Sequence, residues 1–251
     1  MSKDPTACIL IIGDEILSGR TQDTNIKYIA TRLGEIGIRL KECRVIPDAP
    51  TAIIDTVNVC RAAYTYIFTT GGIGPTHDDI TTACIAEAFG RKVIRHPATE
   101  AKFRKFYGEP VNDARLKMAE IPDGPDVQVI DNAAYTTPSY RIGNVFVLAG
   151  IPAVCQAMFE ATVPFLAGGD AMKSGHVDGF VREGDIADEL TAIQGRYPNV
   201  SLGSYPSLRN DRYFVSIVAR STDVAAINKA LGEVETMMRA SKGAPEVTLA
   251  T

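Results

Sequence analysis

The feature that most constrains this chain is a glycine-rich run set between a strand-like and a helix-like segment, Thr69-Thr70-Gly71-Gly72-Ile73-Gly74-Pro75-Thr76-His77-Asp78-Asp79-Ile80-Thr81. Before it stand Tyr64-Thr65-Tyr66-Ile67-Phe68, β-branched and aromatic residues that suit a pleated strand. After it, Thr82 to Phe89 carries apolar residues at helical spacing. A glycine turn at such a junction exposes backbone N–H groups, and a helix N-terminus behind it adds a partial positive charge. Together they make a place for phosphate. Asp78 and Asp79 then stand where a phosphate-bound divalent cation needs hard oxygen ligands. The same residues also have a purely structural use, the glycines as a tight turn and the aspartates as helix caps.

A second polar cluster follows the first strand. Ala7 to Ile12 is a continuous apolar run, as expected of a strand buried on both faces. It ends in Gly13-Asp14-Glu15-Ile16-Leu17-Ser18-Gly19-Arg20, followed by Thr21-Gln22-Asp23-Thr24-Asn25. Helical apolar spacing then resumes at Ile26, Ile29, Ala30, Leu33 and Ile36. Polar groups thus gather beyond a strand's carboxyl end, where open α/β sheets bind ligands. The structural alternative makes Asp23 or Thr24 an N-cap and Glu15 a solvated loop charge.

Strands and helices alternate through the first two-thirds of the chain. The expected order is strand 6–12, helix 24–37, strand 39–46, helix 51–63, strand 64–70, helix 79–90, strand 91–95 and helix 97–107. Irregular and short-strand structure follows to about residue 142, then strand 144–149 and helix 152–167. Such alternation predicts an α/β domain with a parallel sheet and helices on both faces, over residues 1–170. Ala167-Gly168-Gly169-Asp170 reads as a hinge. Beyond it, a strand near 175–182, a helix near 184–196, strands near 200–205 and 212–220, and a helix over 222–240 predict a small α+β domain, 174–241. Residues 242–251 are expected to be a loose tail.

Composition narrows the function classes. The 251 residues are 45% apolar and 22% charged, as in a globular protein rather than a disordered one. A formal net charge of −4 argues against nucleic acid or an anionic membrane as the main partner. No stretch approaches the roughly 20 apolar residues of a membrane span. Met1 to Pro5 lead directly into a core strand, so no signal peptide is expected. Cys8, Cys43, Cys60, Cys84 and Cys155 lie in apolar contexts without metal-like spacing, and read as reduced core thiols of a cytoplasmic protein.

Gly13 to Gly19 with Asp23-Thr24-Asn25, together with Thr69 to Asp79, resemble the molybdopterin-binding (MoaB/Mog-like) domain family. The version concerned is that of the competence/damage-inducible protein A (CinA) family and of the amino-terminal half of animal FAD synthases. The resemblance continues at Met118 to Pro122, Val145 to Pro152, Arg182 to Leu190 and Val200 to Pro206. It implies a three-layer α/β/α domain with a mostly parallel sheet, followed by a KH-like α+β unit. It also implies a ligand with phosphate next to a nucleotide or pterin. One expectation is metal-dependent hydrolysis of a pyrophosphate such as ADP-ribose or FAD, with Mg²⁺, Mn²⁺ or Co²⁺. The alternative is a module that binds molybdopterin or a nucleotide without turnover.

On this reading, Thr70, Gly71, Gly72 and Gly74 hold phosphate, and Asp79 is the metal ligand or water activator with Asp78 in support. Asp48, at the end of the second strand, is a further acidic candidate, or a turn residue between Pro47 and Pro50. Gly13, Asp14, Glu15, Ser18 and Asn25 are assigned to the ribose, the base or a second metal. Gly150 and Pro152 form another wall, or an ordinary turn with proline in the first helical turn. His77 is expected to be solvated or to act indirectly. The stretch Asn132 to Tyr140 departs from the family's loop, and Tyr135 and Tyr140 are candidates to stack on a flat ring there. Gly195-Arg196-Tyr197-Pro198 lacks the second glycine of an RNA-binding GxxG loop, so nucleic acid is not expected as a partner. A homo-oligomer is expected from the resemblance.

Overall fold

A computed structural model describes residues 5–251, and the chain divides after Gly169 into two compact units. The expectation for the first five residues falls mostly on 1–4, outside the described residues. The first unit runs β1 (Thr6–Ile12), α1 (Asp14–Leu17), α2 (Asn25–Glu35), β2 (Arg39–Ile46), α3 (Pro50–Ala63), β3 (Tyr66–Thr70) and α4 (Thr81–Ala88). It continues with β4 (Val93–Arg95), α5 (Pro97–Tyr107), α6 (Asp113–Lys117), β5 (Glu120–Pro122) and β6 (Val127–Ile130). It closes with β7 (Ser139–Ile142), β8 (Val145–Leu148), α7 (Pro152–Thr162) and a 3-10 turn over Val163–Phe165.

The main sheet has the order β2-β1-β3-β8-β7-β6. Strands β2, β1, β3 and β8 are parallel, while β7 and β6 are antiparallel additions at one side. Alternation along β1 shows how the two cores arise. Cys8, Leu10 and Ile12 pack with Ile53 and Val57 of α3 and Ile85 of α4. Ala7, Ile9 and Ile11 pack on the opposite face with Ile29 and Leu33 of α2 and Met158 and Phe159 of α7. A strand covered on both faces needs an unbroken apolar run, which is what β1 supplies. The result is a three-layer α/β/α domain with a mostly parallel sheet.

Three sequence expectations change here. The strand expected at 91–95 is only Val93–Arg95 and pairs with β5 in a separate two-stranded sheet. Its Val93 and Ile94 stay exposed, and a three-residue segment between basic residues has too little apolar surface to enter the core. The thiol of Cys43 is exposed on the edge strand β2, whereas the other four cysteines are buried. The proposed hinge also starts docked: a Cβ on Gly168 would lie 2.0 Å from the Ile36 carbonyl oxygen, and the Ala167 N–H donates to the Tyr66 hydroxyl at 2.8 Å.

The second unit runs β9 (Lys173–Gly179), α8 (Glu183–Arg196), β10 (Ser201–Arg209), β11 (Arg212–Ser221), α9 (Val224–Ala240) and β12 (Glu246–Thr248). Its sheet is antiparallel with the order β10-β11-β9-β12. Val177, Val215 and Ile217 from the sheet meet Ile186 and Ile193 of α8 and Leu231 and Val234 of α9. The loose tail expected at 242–251 is not what forms. Glu246–Thr248 pairs with Asp178, Val177 and His176, and Ala250 is buried. Asn228 fixes the end by accepting from the Ala250 N–H at 3.0 Å and donating to its carbonyl at 3.3 Å. The open edge of β9 supplies unpaired backbone groups, and pairing them outweighs the tail's freedom. Among the described residues, no helix is long and apolar enough to cross a membrane.

Candidate functional site

The chain leaves β1 for β2 on one side, then returns past it to β3 on the other. Loops from β1 and β3 therefore part in opposite directions, leaving a crevice at their carboxyl ends. A cavity of about 580 Å³ opens there. Its walls bring together Glu15, Asp48, Gly71, Gly72, Gly74, Asp78, Asp79, Gly150 and Pro152, all named from sequence.

Backbone packing explains the glycines. Gly71 has φ +101°, and a Cβ there would lie 2.1 Å from the Ile12 carbonyl oxygen. Its own N–H donates to the Leu148 carbonyl at 3.2 Å. Across this junction, a Cβ on Gly150 would meet the Gly71 Cα at 3.2 Å. The ends of β1, β3 and β8 thus touch backbone to backbone. The loop after Gly72 curls back onto the start of α4, where the Thr81 hydroxyl donates to the Gly71 carbonyl at 2.9 Å and the Thr81 N–H to the Gly72 carbonyl at 3.0 Å. Gly72, Ile73 and Gly74 line the cavity, and their N–H groups donate to no acceptor among the described residues. Free N–H groups at a helix N-terminus form an anion cradle.

The carboxylates face this cradle. Asp78 and Asp79 do not cap α4: Ile80 holds that position, and no side chain bonds there. Instead the Thr76 hydroxyl lies between both carboxylates, and the Thr76 N–H donates to Asp79 Oδ2 at 2.8 Å. A Cβ on Gly74 would meet that Asp79 carboxylate at 2.6 Å, so Gly74 leaves room for it. The Lys117 ammonium donates to the Thr76 carbonyl and ties α6 to the loop. The hydrogen bond from Thr76 holds the Asp78 carboxyl below its ordinary range, with smaller help from His77 and Lys117. Asp48 goes the other way. Burial pushes its carboxyl up, the Asp14 N–H donating at 2.9 Å opposes this, and the charges of Asp14, Glu15 and Asp78 add to the rise.

Other expected residues take supporting places. Thr70 and Asn25 line a small recess beside the cavity. Asn25 donates to the Gly150 carbonyl at 2.9 Å, and its buried Oδ1 has no partner. The N-cap of α2 is Thr24 without a side-chain bond; Asp23 instead accepts from the Ile26 N–H at 2.9 Å. Gly13 joins the ends of β1 and β2 by donating to the Ile46 carbonyl at 3.2 Å. Asp14 acts through its backbone on Asp48, and its side chain is not part of the cavity wall. Ser18 is exposed, its hydroxyl donates only to the Glu15 carbonyl at 3.3 Å, and it lines neither space. His77 is solvated, its side chain 98% exposed. Thr21, Met118 and Thr137 also line the cavity and were not assigned from sequence. Thr137 lies within the loop marked as departing from the family, which was the one signal available.

The oxygen donors suit a hard divalent cation, and the part of Asp48's upward push that neighbouring carboxylates add to burial is charge that a cation would relieve. They do not form a finished cage. Among the described residues, the one group that brings three possible ligand atoms within 4.8 Å is Cys8, Glu42 and Cys60, none of which lines the cavity. The cavity therefore fits a cation that takes most of its ligands from phosphate and water.

Comparison with known proteins agrees with this architecture. Residues 173–246 match a family described as the FAD synthase middle domain. A probable FAD synthase of Caenorhabditis elegans is 34% identical over 235 residues, covering 84% of this chain and 45% of that protein. A CinA-like protein of Gloeobacter violaceus is 31% identical over 271 residues, covering 98% of this chain and 61% of the relative. The chain spans about half the length of the FAD synthase relatives it matches. The crystal structure of the protein CinA, with unknown function, from Thermoplasma acidophilum is similar at a TM-score of 0.60 and 30% identity, covering 65% of this chain and 99% of that one. Residues 8–168 match the family described as a probable molybdopterin binding domain, and the chain belongs to that family, with an FAD-synthase-type middle domain behind it.

Proposed function

We propose that this protein is a metal-dependent nucleotide pyrophosphatase acting on a diphosphate such as ADP-ribose or FAD. One observation carries the reading: the free N–H groups of Gly72, Ile73 and Gly74 share a cavity with Glu15, Asp48, Asp78 and Asp79. Hydrolysis of a diphosphate needs donors for phosphate oxygens, an activated water and relief of negative charge. The glycine loop supplies the first. Asp78 and Asp79, held by Thr76, would hold a divalent cation, which neutralises phosphate charge when bound. Asp48 is the group suited to take the proton of the attacking water, because it lines the cavity and burial makes its carboxylate a stronger base than an exposed one. Water oxygen then bonds to phosphorus, the bridging P–O bond breaks, and the departing phosphate keeps the electron pair. The unbonded thiols of all five cysteines suit a reducing compartment, and the cytoplasm is part of the proposal.

The test is release of AMP from ADP-ribose and from FAD with Mg²⁺, Mn²⁺ or Co²⁺ against a chelated control. Asp79→Ala is expected to lose turnover while keeping its unfolding transition. Full activity in that variant would refute the assignment. A second reading, a module that binds a pterin or nucleotide without turnover, draws on the unfinished carboxylate cage and the altered loop over 132–140. A pterin retained through purification, with no hydrolysis under any of these metals, would decide for it.

A further inference from the structure

A second cavity, also about 580 Å³, lies beside α5 and is lined by Lys102, Lys105, Phe106, Asn132, Tyr135 and Thr136 among others. It adjoins the first through a single loop, since Thr136 lines one cavity and Thr137 the other. The loop is held in shape by Asn132, whose Oδ1 accepts from the Tyr135 N–H at 2.7 Å and whose amide donates to the Thr137 carbonyl at 2.9 Å. Tyr135 is thereby presented without further ordering of the chain. Most large rings in this unit are buried or half-buried, yet Phe106 is 67% and Tyr135 40% exposed, both at this cavity. Lys102 is neutralised by Asp131, but Lys105 has no ionic partner among the described residues. Two exposed rings and an unpaired ammonium form a surface for a flat ring attached to phosphate.

We propose that this cavity holds the ring at the far end of a diphosphate whose near phosphate sits in the glycine loop. The substrate class is then a dinucleotide with a planar group at each end, rather than a nucleoside diphosphate ending in a bare sugar. This rests on the phosphate-binding part of the proposed function. It also gives a physical use to the departing loop over 132–140: that loop separates the two cavities and carries one of the stacking rings.

The experiment is equilibrium binding of FAD, ADP-ribose and AMP, with metal chelated so that nothing is turned over. It uses the full chain and its Tyr135→Ala, Tyr135→Phe and Lys105→Ala variants. Loss of one stacking ring or of the ammonium is expected to weaken FAD binding about tenfold, with ADP-ribose and AMP unchanged and Tyr135→Phe close to the parent. Equal weakening of all three ligands, unchanged FAD affinity, or FAD held no more tightly than AMP by the parent would overturn the proposal. Hydrolysis is not read in this assay. An FAD-specific loss in a protein that never releases AMP would sink the pyrophosphatase reading alone, and intact hydrolysis without that loss would sink the subsite alone.

Discussion

At Asp48, burial and the charges of Asp14, Glu15 and Asp78 outweigh a single N–H donor. A carboxyl whose folded value is raised favours its protonated form. Its contribution to stability is complete below the ordinary carboxylate range and is lost as pH rises through the folded value. At neutral pH the ionised group therefore costs stability. Asp48→Asn keeps an acceptor for the Asp14 N–H and removes the charge, so it should raise the urea midpoint at pH 7 and leave it unchanged at pH 3. The same change should reduce hydrolysis on the order of 10²- to 10⁴-fold, the usual loss of a general base. A lower midpoint at pH 7 would contradict this account. Asp48 was legible as a candidate because Val45-Ile46-Pro47-Asp48 places an acid just beyond a strand. Its raised state was not, since that depends first on burial and then on the charges of Asp14, Glu15 and Asp78, which separate loops bring together. Thr76 was equally hidden: a threonine in a loop gives no sign that its hydroxyl will sit between two carboxylates.

Among the elements, α2 and α7 cover one face of the sheet and are clamped at their surface. Arg32 meets Glu160 through two hydrogen bonds of 2.7 and 2.9 Å, and the Tyr28 hydroxyl adds a third at 2.7 Å. The Arg32 bonds, ahead of any other cause, hold the Glu160 carboxyl below its ordinary value. That stability is present above the unfolded value and disappears as pH falls through the folded one. Glu160→Ala should cost about 1 kcal/mol at pH 7, discounted for a pair about a third exposed, and nothing near pH 2. Urea titrations at both pH values measure it. Elements with long apolar runs or clear helical spacing, such as β1 and α2, were readable because burial on two faces or on one stripe leaves a period in the sequence. Helices α1 and α6, at four and five residues, carry barely one helical turn, too little for a repeating pattern. Strand β4 brings only Val93 and Ile94 between basic residues, too little apolar surface to hold a place in the main sheet.

In the molecule as a whole, each unit has its own apolar core, and every residue lining the two proposed ligand cavities belongs to the first. The tail strand β12 serves only the second. Deleting residues 244–251 should therefore expose the Asp178 and His176 backbone of β9 to fast amide exchange, while AMP binding stays within a factor of about two. Loss of AMP binding in that deletion would show the cavities to be incomplete without the second unit. The junction of Gly71 with Leu148 carries a consequence in time rather than space. As the chain is synthesised, the glycine loop emerges long before the strand that braces it. Until β8 has inserted beside β3, the loop has no fixed shape, so a nascent first unit recognises nothing. Ligands can select only finished molecules, and a motif legible long before the chain ends is among the last to become chemistry.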